Sequence, residues 1–189
     1  MKDLKVGYAF CGSFCTLNKS FSIFEELSKK VDITPIMSNI VYTTDTRFGL
    51  CEDFINKAET LSGKKIIHTI KQAEPIGPKS LFDILIIAPC TGNTLAKIAL
   101  GITDSSVTMA AKAHLRNQKP LVIGLATNDA LSASAKNIGI LLNTKNIYFV
   151  PIKQDDPENK STSLICDFTK IEQTALMALE NKQIQPIYY

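Results

Sequence analysis

The run Pro89-Cys90-Thr91-Gly92-Asn93-Thr94 concentrates small residues, hydroxyls and an amide. An apolar stretch, Ile84 to Ala88, leads into it. Leu95, Ile98, Ala99 and Ile102 follow at helical spacing. A buried strand that enters a helix through such a turn forms a cup for an anion. The first N–H groups of a helix lack intrahelical partners, and the helix dipole favours negative charge there. Thr91, Asn93 and Thr94 are expected to add side-chain donors. The spacing therefore predicts a phosphate-bearing ligand at the carboxyl end of a parallel sheet.

Other residues with chemistry in them are sparser. Gly12-Ser13 follows the first apolar strand and can serve as a second phosphate turn. Gly7-x4-Gly12 lacks the middle glycine of the G-x-G-x-x-G fingerprint, which disfavours ordinary NAD(P) binding by this chain. Cys11 and Cys90 each end a strand and can flank one site if those strands are neighbours. Buried packing is the favoured role for both thiols. His68 and His114 lack a Ser/Asp or Cys partner in the pattern and read as solvated or core residues. Asp155-Asp156 stands beside Pro157 and reads as a turn. Arg47 is the arginine near the expected ligand face, suited to a bidentate bond with a carboxylate or phosphate. Thr127 and Asn128, after a later strand, are candidate substrate orienters.

These residues need a scaffold, and the sequence alternates strand and helix. Strands are expected at Leu4 to Phe10, Asp32 to Met37, Ile84 to Ala88, Leu121 to Leu125 and Ile147 to Val150. Helices are expected at Thr16 to Lys29, Arg47 to Glu59, Ile66 to Gln72, Thr94 to Leu100, Ser105 to Leu115, Leu131 to Leu142 and Asp167 to Glu180. Near-continuous apolar strands between helices imply a doubly wound α/β fold. The expectation is one Rossmann-like domain over residues 1–189, with a mainly parallel sheet of five to six strands and helices on both faces. Lys153 to Ser163 reads as an exposed loop, and Gln185 to Tyr189 as a tail or partner contact.

Composition narrows the classes. The net charge of +3 is small, and the 21 Lys and Arg residues are scattered, so no nucleic-acid partner is expected. No apolar run approaches the ~20 residues that span a bilayer, so no membrane partner is expected. The N-terminus lacks the order of a signal peptide, which points to the cytoplasm. Five cysteines and two histidines form neither a disulfide framework nor a metal-ligand set, so no metal site is expected.

Ala88-Pro89-Cys90-Thr91-Gly92-Asn93-Thr94-Leu95-Ala96-Lys97-Ile98-Ala99, with Gly101 and Asp104, resembles the signature of the flavoprotein family of homo-oligomeric flavin-containing cysteine decarboxylases. Gly12-Ser13 resembles that family's first phosphate turn. The resemblance implies FMN held at Gly12, Ser13, Ser38, Thr91, Gly92, Asn93 and Thr94, and a homo-oligomer. Two departures disfavour the decarboxylase branch. Ala73 to Phe82 holds no histidine, and Ala126-Thr-Asn-Asp129 stands where that branch has a Pro-x-Met-Asn clamp.

Over nearly the whole length the sequence is similar to the B subunits of the dipicolinate synthases of spore-forming bacteria. Thr44-Asp-Thr-Arg-Phe-Gly49, Ala73-Glu-Pro-Ile-Gly-Pro78, Ala110-Ala-Lys-Ala113, Ala126-Thr-Asn-Asp-Ala-Leu131, Thr144-Lys-Asn-Ile147 and Gln154-Asp-Asp-Pro157 carry that likeness. It implies an oxidoreductase subunit that makes dipicolinate from a dihydrodipicolinate-type precursor in the mother-cell cytoplasm during sporulation. The implied partner is the A subunit of the same synthase, with NADP bound to it, and the ligand a small molecule. Arg47, Thr127 and Asn128 are then the substrate candidates. A non-catalytic anion-binding scaffold and an FMN-dependent decarboxylase remain the alternatives.

Overall fold

The strands are runs with too few polar groups for either side to face water. The computed structural model describes residues 3–189. Its strands are β1 (Lys5–Phe10), β2 (Asp32–Met37), β3 (Ile84–Cys90), β4 (Leu121–Thr127), β5 (Ile147–Phe149), β6 (Ile152–Lys153) and β7 (Leu164–Cys166). β2, β1, β3 and β4 are hydrogen-bonded in that order, all parallel. β5 runs parallel to the first half of β4. β7 pairs antiparallel with the end of β4, and β6 with β7.

The helices are α1 (Phe14–Ser28), α2 (Asn39–Thr43), α3 (Cys51–Ser62), α4 (Ile70–Ala73), α5 (Gly92–Ala99), α6 (Ser106–Leu115), α7 (Ala135–Leu142) and α8 (Ile171–Leu179). They divide between the two faces of the sheet. Alternating strand residues supply the two cores. Tyr8 and Phe10 point to the side of α1, α3 and α8, while Ala9 packs with α4 to α7. Phe10 stacks on Phe21 of α1 at 4.4 Å between ring centroids, and Phe21 stacks on Phe54 of α3. In β3, a register shift between Ile87 and Cys90 breaks the alternation. Ala88 therefore faces the first core and Cys90 the second.

The expected doubly wound fold is present, with local differences. The helix expected over Ile66 to Gln72 forms only as α4 from Ile70, because Ile67 exchanges backbone bonds with Pro35 and Met37 beside β2 and Thr69 caps the helix at the Gln72 amide. The antiparallel pair β6–β7 brings the sheet to seven strands. These strands have two and three residues, too few to show a period. The helix expected from Arg47 starts at Cys51, because Thr46 and Gly49 close a tight turn through mutual backbone bonds of 3.1 Å. Gly49 adopts φ +148°, and a Cβ there would stand 2.9 Å from the Phe54 ring. The helix expected from Leu131 starts at Ala135, because the amides of Ser132 and Ser134 donate to the Asp129 carbonyl. Residues 185–189 run against β6. The Ile152 amide donates to the Ile187 carbonyl at 2.7 Å, and the Tyr189 hydroxyl donates to Asp167 at 2.6 Å.

His114 is buried under the sheet, where its Nε2–H donates to the Pro120 carbonyl at 2.9 Å. Burial pushes its pKa down to about 4, and the bond to Pro120 offsets only part of that. The unfolded chain thus binds a proton between pH ~6.5 and ~4 that the folded chain refuses. The stability contribution is present above pH 6.5 and lost as pH falls through that window. Urea titrations should show a loss of about 3 kcal/mol between those limits from this residue, and His114→Gln should flatten that slope. An unchanged slope in the variant would remove His114 from the acid sensitivity.

Candidate functional site

The strand order reverses between β1 and β3, and such a reversal opens a crevice above the carboxyl ends of the strands. The Cys11 amide donates to the Pro89 carbonyl at 3.2 Å and ties the two tips together. The Ser20 hydroxyl of α1 donates to the Ala88 carbonyl and meets the Tyr8 hydroxyl, so α1 is pinned over the end of β3. A cleft of about 740 Å³ lies above these tips, a size suited to a cofactor-sized ligand. Its walls come from the turns after β1, β3 and β4, the Thr46–Gly49 turn, and the loop before β7.

Gly12, Ser13, Arg47, Thr91, Gly92, Asn93, Thr127 and Asn128 all line this cleft. Ser38 and Thr94 lie behind it, buried. The two helix heads that meet here differ in a way the sequence does not show. The Thr91 side chain accepts the Thr94 amide at 3.2 Å and donates to the Thr94 hydroxyl, which donates to Cys11 Sγ at 3.4 Å. The expected threonine donors at the head of α5 are therefore spent inside the turn. Asn93 is exposed to the cleft, and its side chain has no protein partner among the described residues.

The head of α1 is open by comparison. Ser13 is its N-cap, yet its side chain takes no first-turn amide and accepts the Thr16 hydroxyl at 3.0 Å instead. With the Thr16 amide on the Ser13 carbonyl, the amides of Phe14 and Cys15 remain for a ligand. Gly12 lies against α2, where a Cβ would stand 2.8 Å from Ile40 Cγ2. Ser38, the N-cap of α2, donates its amide to the Phe10 carbonyl. The residue is only 9 % exposed, and its Oγ is buried without a partner among the described residues. A buried hydroxyl without a partner costs about 1–3 kcal/mol. Its presence beside Gly12 and Ser13 fits a ligand oxygen.

Arg47 sits at the exposed tip of the Thr46–Gly49 turn, not on a helix. Its guanidinium lies over the Phe48 ring at 4.9 Å, which leaves the fork edge free for an anion. The Asp45 carboxylate accepts the Cys51 amide at 2.9 Å and fixes the turn to the head of α3.

Thr127 does not offer a free hydroxyl, because it donates to Asp129 Oδ1 at 2.6 Å. The Asn128 carbonyl accepts from Thr162, and its side chain is exposed at the cleft. Among the residues without an expected role that join the lining, two are charged, Asp129 and Lys160. Asp129 was legible as the acidic residue after β4, but its partners Thr127 and Ser134 meet it only in the fold. Lys160, in the loop expected to be exposed, pairs with Asp155 at 3.4 Å, and its sequence surroundings give no signal for it.

The two strand-end thiols are neighbours across β1 and β3 but are packing groups. Burial pushes Cys11 up to about 11, against smaller opposing effects of the Thr94 hydroxyl and the Thr91 backbone. Burial also raises Cys90 well above the ordinary value. His68 stacks face to face on Tyr42 at 3.8 Å and lies outside the cleft lining. Among the described residues no group of three or more His, Cys, Asp or Glu stands ready for a metal, and no helix is long and apolar enough to cross a membrane.

Likenesses to known proteins bear on this architecture. The B subunit of the Bacillus subtilis (strain 168) dipicolinate synthase is 42 % identical over 188 residues, covering 99 % of this chain and 94 % of that protein. The crystal structure of the dipicolinate synthase B subunit from Bacillus halodurans superposes with a TM-score of 0.91 at 41 % identity, covering 100 % of this chain and 98 % of the other. The FMN-dependent cysteine decarboxylase SpaF matches with a TM-score of 0.67 at 20 % identity, over 95 % of this chain and 98 % of that one, a likeness of fold alone. The family model described as Flavoprotein matches residues 1–182. With that match and a near full-length homologue among the dipicolinate synthase B subunits, the chain belongs to the Flavoprotein family.

Proposed function

We propose that this chain is the flavoprotein subunit of a dipicolinate synthase. It acts with the nicotinamide-binding A subunit, which carries NADP, to oxidise a dihydrodipicolinate-type precursor to dipicolinate. The observation that carries the reading is the cleft at the β1/β3 reversal. It joins the free first-turn amides of α1 to the Arg47 side chain, with the Ser38 hydroxyl buried behind it and without a partner among the described residues. Gly12, Ser13 and Ser38 suit the phosphate of FMN, and Gly92, Asn93 and the Thr91–Thr94 turn suit its polar chain. When bound, FMN supplies two-electron redox chemistry.

The chain's own residues supply the rest. Arg47 takes a substrate carboxylate, and Phe48 covers the guanidinium face so that its edge is presented. Asn128 offers an amide from the opposite wall, and the buried thiols stay protonated and inert. A homo-oligomer in the cytoplasm of the mother cell completes the reading.

A second reading has one observation in its favour. The Thr91 and Thr94 hydroxyls are satisfied without a ligand, as in a scaffold that retains an anion site without catalysing. The two separate in a reconstitution with the A subunit, with and without FMN, following NADPH and dipicolinate together. The expected result is a yellow complex that forms both products in step, and a loss of roughly two powers of ten in rate for Asn93→Ala with assembly unchanged. A colourless protein that takes up no FMN would sink the flavin assignment. Unchanged turnover in Asn93→Ala would favour the scaffold.

A further inference from the structure

We propose that Lys160 is a second carboxylate site in the cleft and that, with Arg47, it holds a ligand by two carboxylates at once. The cleft then selects diacids over monoacids. The inference rests on the dicarboxylate substrate class given under the proposed function and names the residue that takes the second carboxylate.

Placement carries the argument. Among the described residues, the cleft lining holds two cationic side chains, Arg47 and Lys160. They come from opposite ends of the sheet order. Arg47 stands on the turn that follows β2 and α2, whereas Lys160 stands in the loop between β6 and β7, beyond β4. The tips of β1 and β3 lie between them. The two carboxylates of a 2,6-substituted six-membered ring diverge on either side of the ring nitrogen. A ring with one carboxylate at Arg47 therefore turns the other toward the far wall.

The loop that carries Lys160 is fastened to that wall. The Thr162 hydroxyl donates to the Asn128 carbonyl at 2.6 Å, and the Leu131 amide donates to the Thr162 carbonyl at 3.0 Å. Both backbone groups of Lys160 are used. Its amide donates to the Asp156 carbonyl at 2.8 Å, and its carbonyl accepts the Ser163 amide at 2.9 Å. The backbone is thus fixed beside the cleft, and the flexible part is the four-carbon stem of the side chain.

The bond that Lys160 already makes does not consume it. Its ammonium donates to Asp155 Oδ2 at 3.4 Å, and the side chain is more than half exposed. An exposed pair of this kind contributes little. An ammonium carries three donors, so others remain for a ligand. Asp155 does not depend on Lys160 either. Burial pushes its carboxyl up, while the Ser163 hydroxyl and its own backbone oppose this more than Lys160 does, and together they hold it below the ordinary range. Asp155 keeps the ammonium at the wall and competes with the ligand for it. The two residues therefore have effects of opposite sign on ligand binding.

The test is calorimetric titration of the full chain, alone and loaded with FMN, with three probes. Pyridine-2,6-dicarboxylate and cis-piperidine-2,6-dicarboxylate present two carboxylates on different rings, and pyridine-2-carboxylate presents one. Lys160→Ala is expected to weaken both diacids about tenfold and to leave the monoacid within about twofold. Lys160→Arg should retain most of the diacid affinity. Asp155→Asn removes the competing charge and should tighten the diacids by about two- to threefold. A pair that merely braces the loop would behave otherwise, with both variants weakening the diacids and lowering the urea midpoint together. That result, or diacid affinities unchanged in Lys160→Ala, would overturn the proposal while leaving Arg47 and the diacid reading in place. The phosphate of FMN is a second anion within the same chemistry, so FMN is titrated into the same variants. If Lys160→Ala weakens FMN and not the diacids, the lysine serves the phosphate and the assignment is overturned. Both carboxylates persist through oxidation of the ring, so the clamp holds substrate and product alike. In the assembled synthase Lys160→Ala should then raise KM about tenfold at nearly constant kcat, and a fall in kcat at constant KM would count against it. If neither diacid binds the wild type, the dicarboxylate substrate class falls and the inference with it.

Discussion

Gly92→Ala is expected to lower turnover of the assembled synthase and ligand affinity by about two powers of ten or more. The new methyl would enter a space bounded at 2.7–2.8 Å by the oxygens of Thr127, Asp129 and Ser134. Overpacking of a well-ordered site costs about 1–3 kcal/mol. Here the strain falls on the hydrogen bonds that orient Asp129. The lesion is therefore more damaging to the site than to the fold. Urea midpoints should move by no more than the overpacking cost, while titrations with FMN and the diacids collapse. Gly139→Ala is the matched control, because nothing stands within 4 Å of a Cβ there and the position lies on α7 away from the cleft lining. Wild-type affinity in Gly92→Ala would show that the cradle yields and that the convergence of the three oxygens is without consequence.

Arg47→Ala is expected to raise the dissociation constant for a pyridine or piperidine diacid by one to two powers of ten. Hydrogen bonds to charged groups contribute about 1.5–3 kcal/mol net, and a guanidinium held over an aromatic ring presents its fork with less ordering cost. Arg47→Lys should recover only part of the loss, since an ammonium cannot form the bidentate pair. The fold should not suffer, because Arg47 is exposed and the turn is held by backbone bonds and by the Asp45 carboxylate. Salt provides an independent check. The exposed side chain lies within reach of ions, so the Arg47 contribution should shrink as ionic strength rises from ~0.01 to ~1 M. Diacid binding that is equal in wild type and Arg47→Ala would take Arg47 out of substrate recognition and leave Lys160 as the cation of the cleft.

Much of this molecule was readable in its residues. β2 falls on the expected residues Asp32 to Met37, and the remaining long strands lie within a residue or two of their expected spans, because buried runs and helical spacings are local patterns. The family, too, was carried by a contiguous segment, Ala88 to Asp104, and by the phosphate turn at Gly12-Ser13. The errors cluster where turn contacts and strand pairing, not residue periodicity, set the backbone. The Thr46–Gly49 turn depends on Phe54 filling the space beside Gly49. The late start of α7 depends on amides that fold back onto Asp129. β6 and β7 exist only because the end of β4 offers unpaired backbone groups to a chain that returns to it.

Sequence by itself determined the doubly wound sheet, the turns at the strand tips and the absence of a dinucleotide fingerprint, since each is written in neighbouring residues. Tertiary structure alone decided how those turns divide the work. The Pro89–Thr94 turn looked like the anion cup, but Thr91, Thr94 and Cys11 satisfy one another inside it, and Asp129 brings a negative charge against Gly92. The open helix head belongs to α1, and Ser38 is left as a buried hydroxyl without a partner among the described residues. The physical reason is that a polar side chain spends its hydrogen bonds on whatever reaches it first in space, and residues 38, 94 and 129 meet their neighbours only when β1, β3 and β4 are laid side by side.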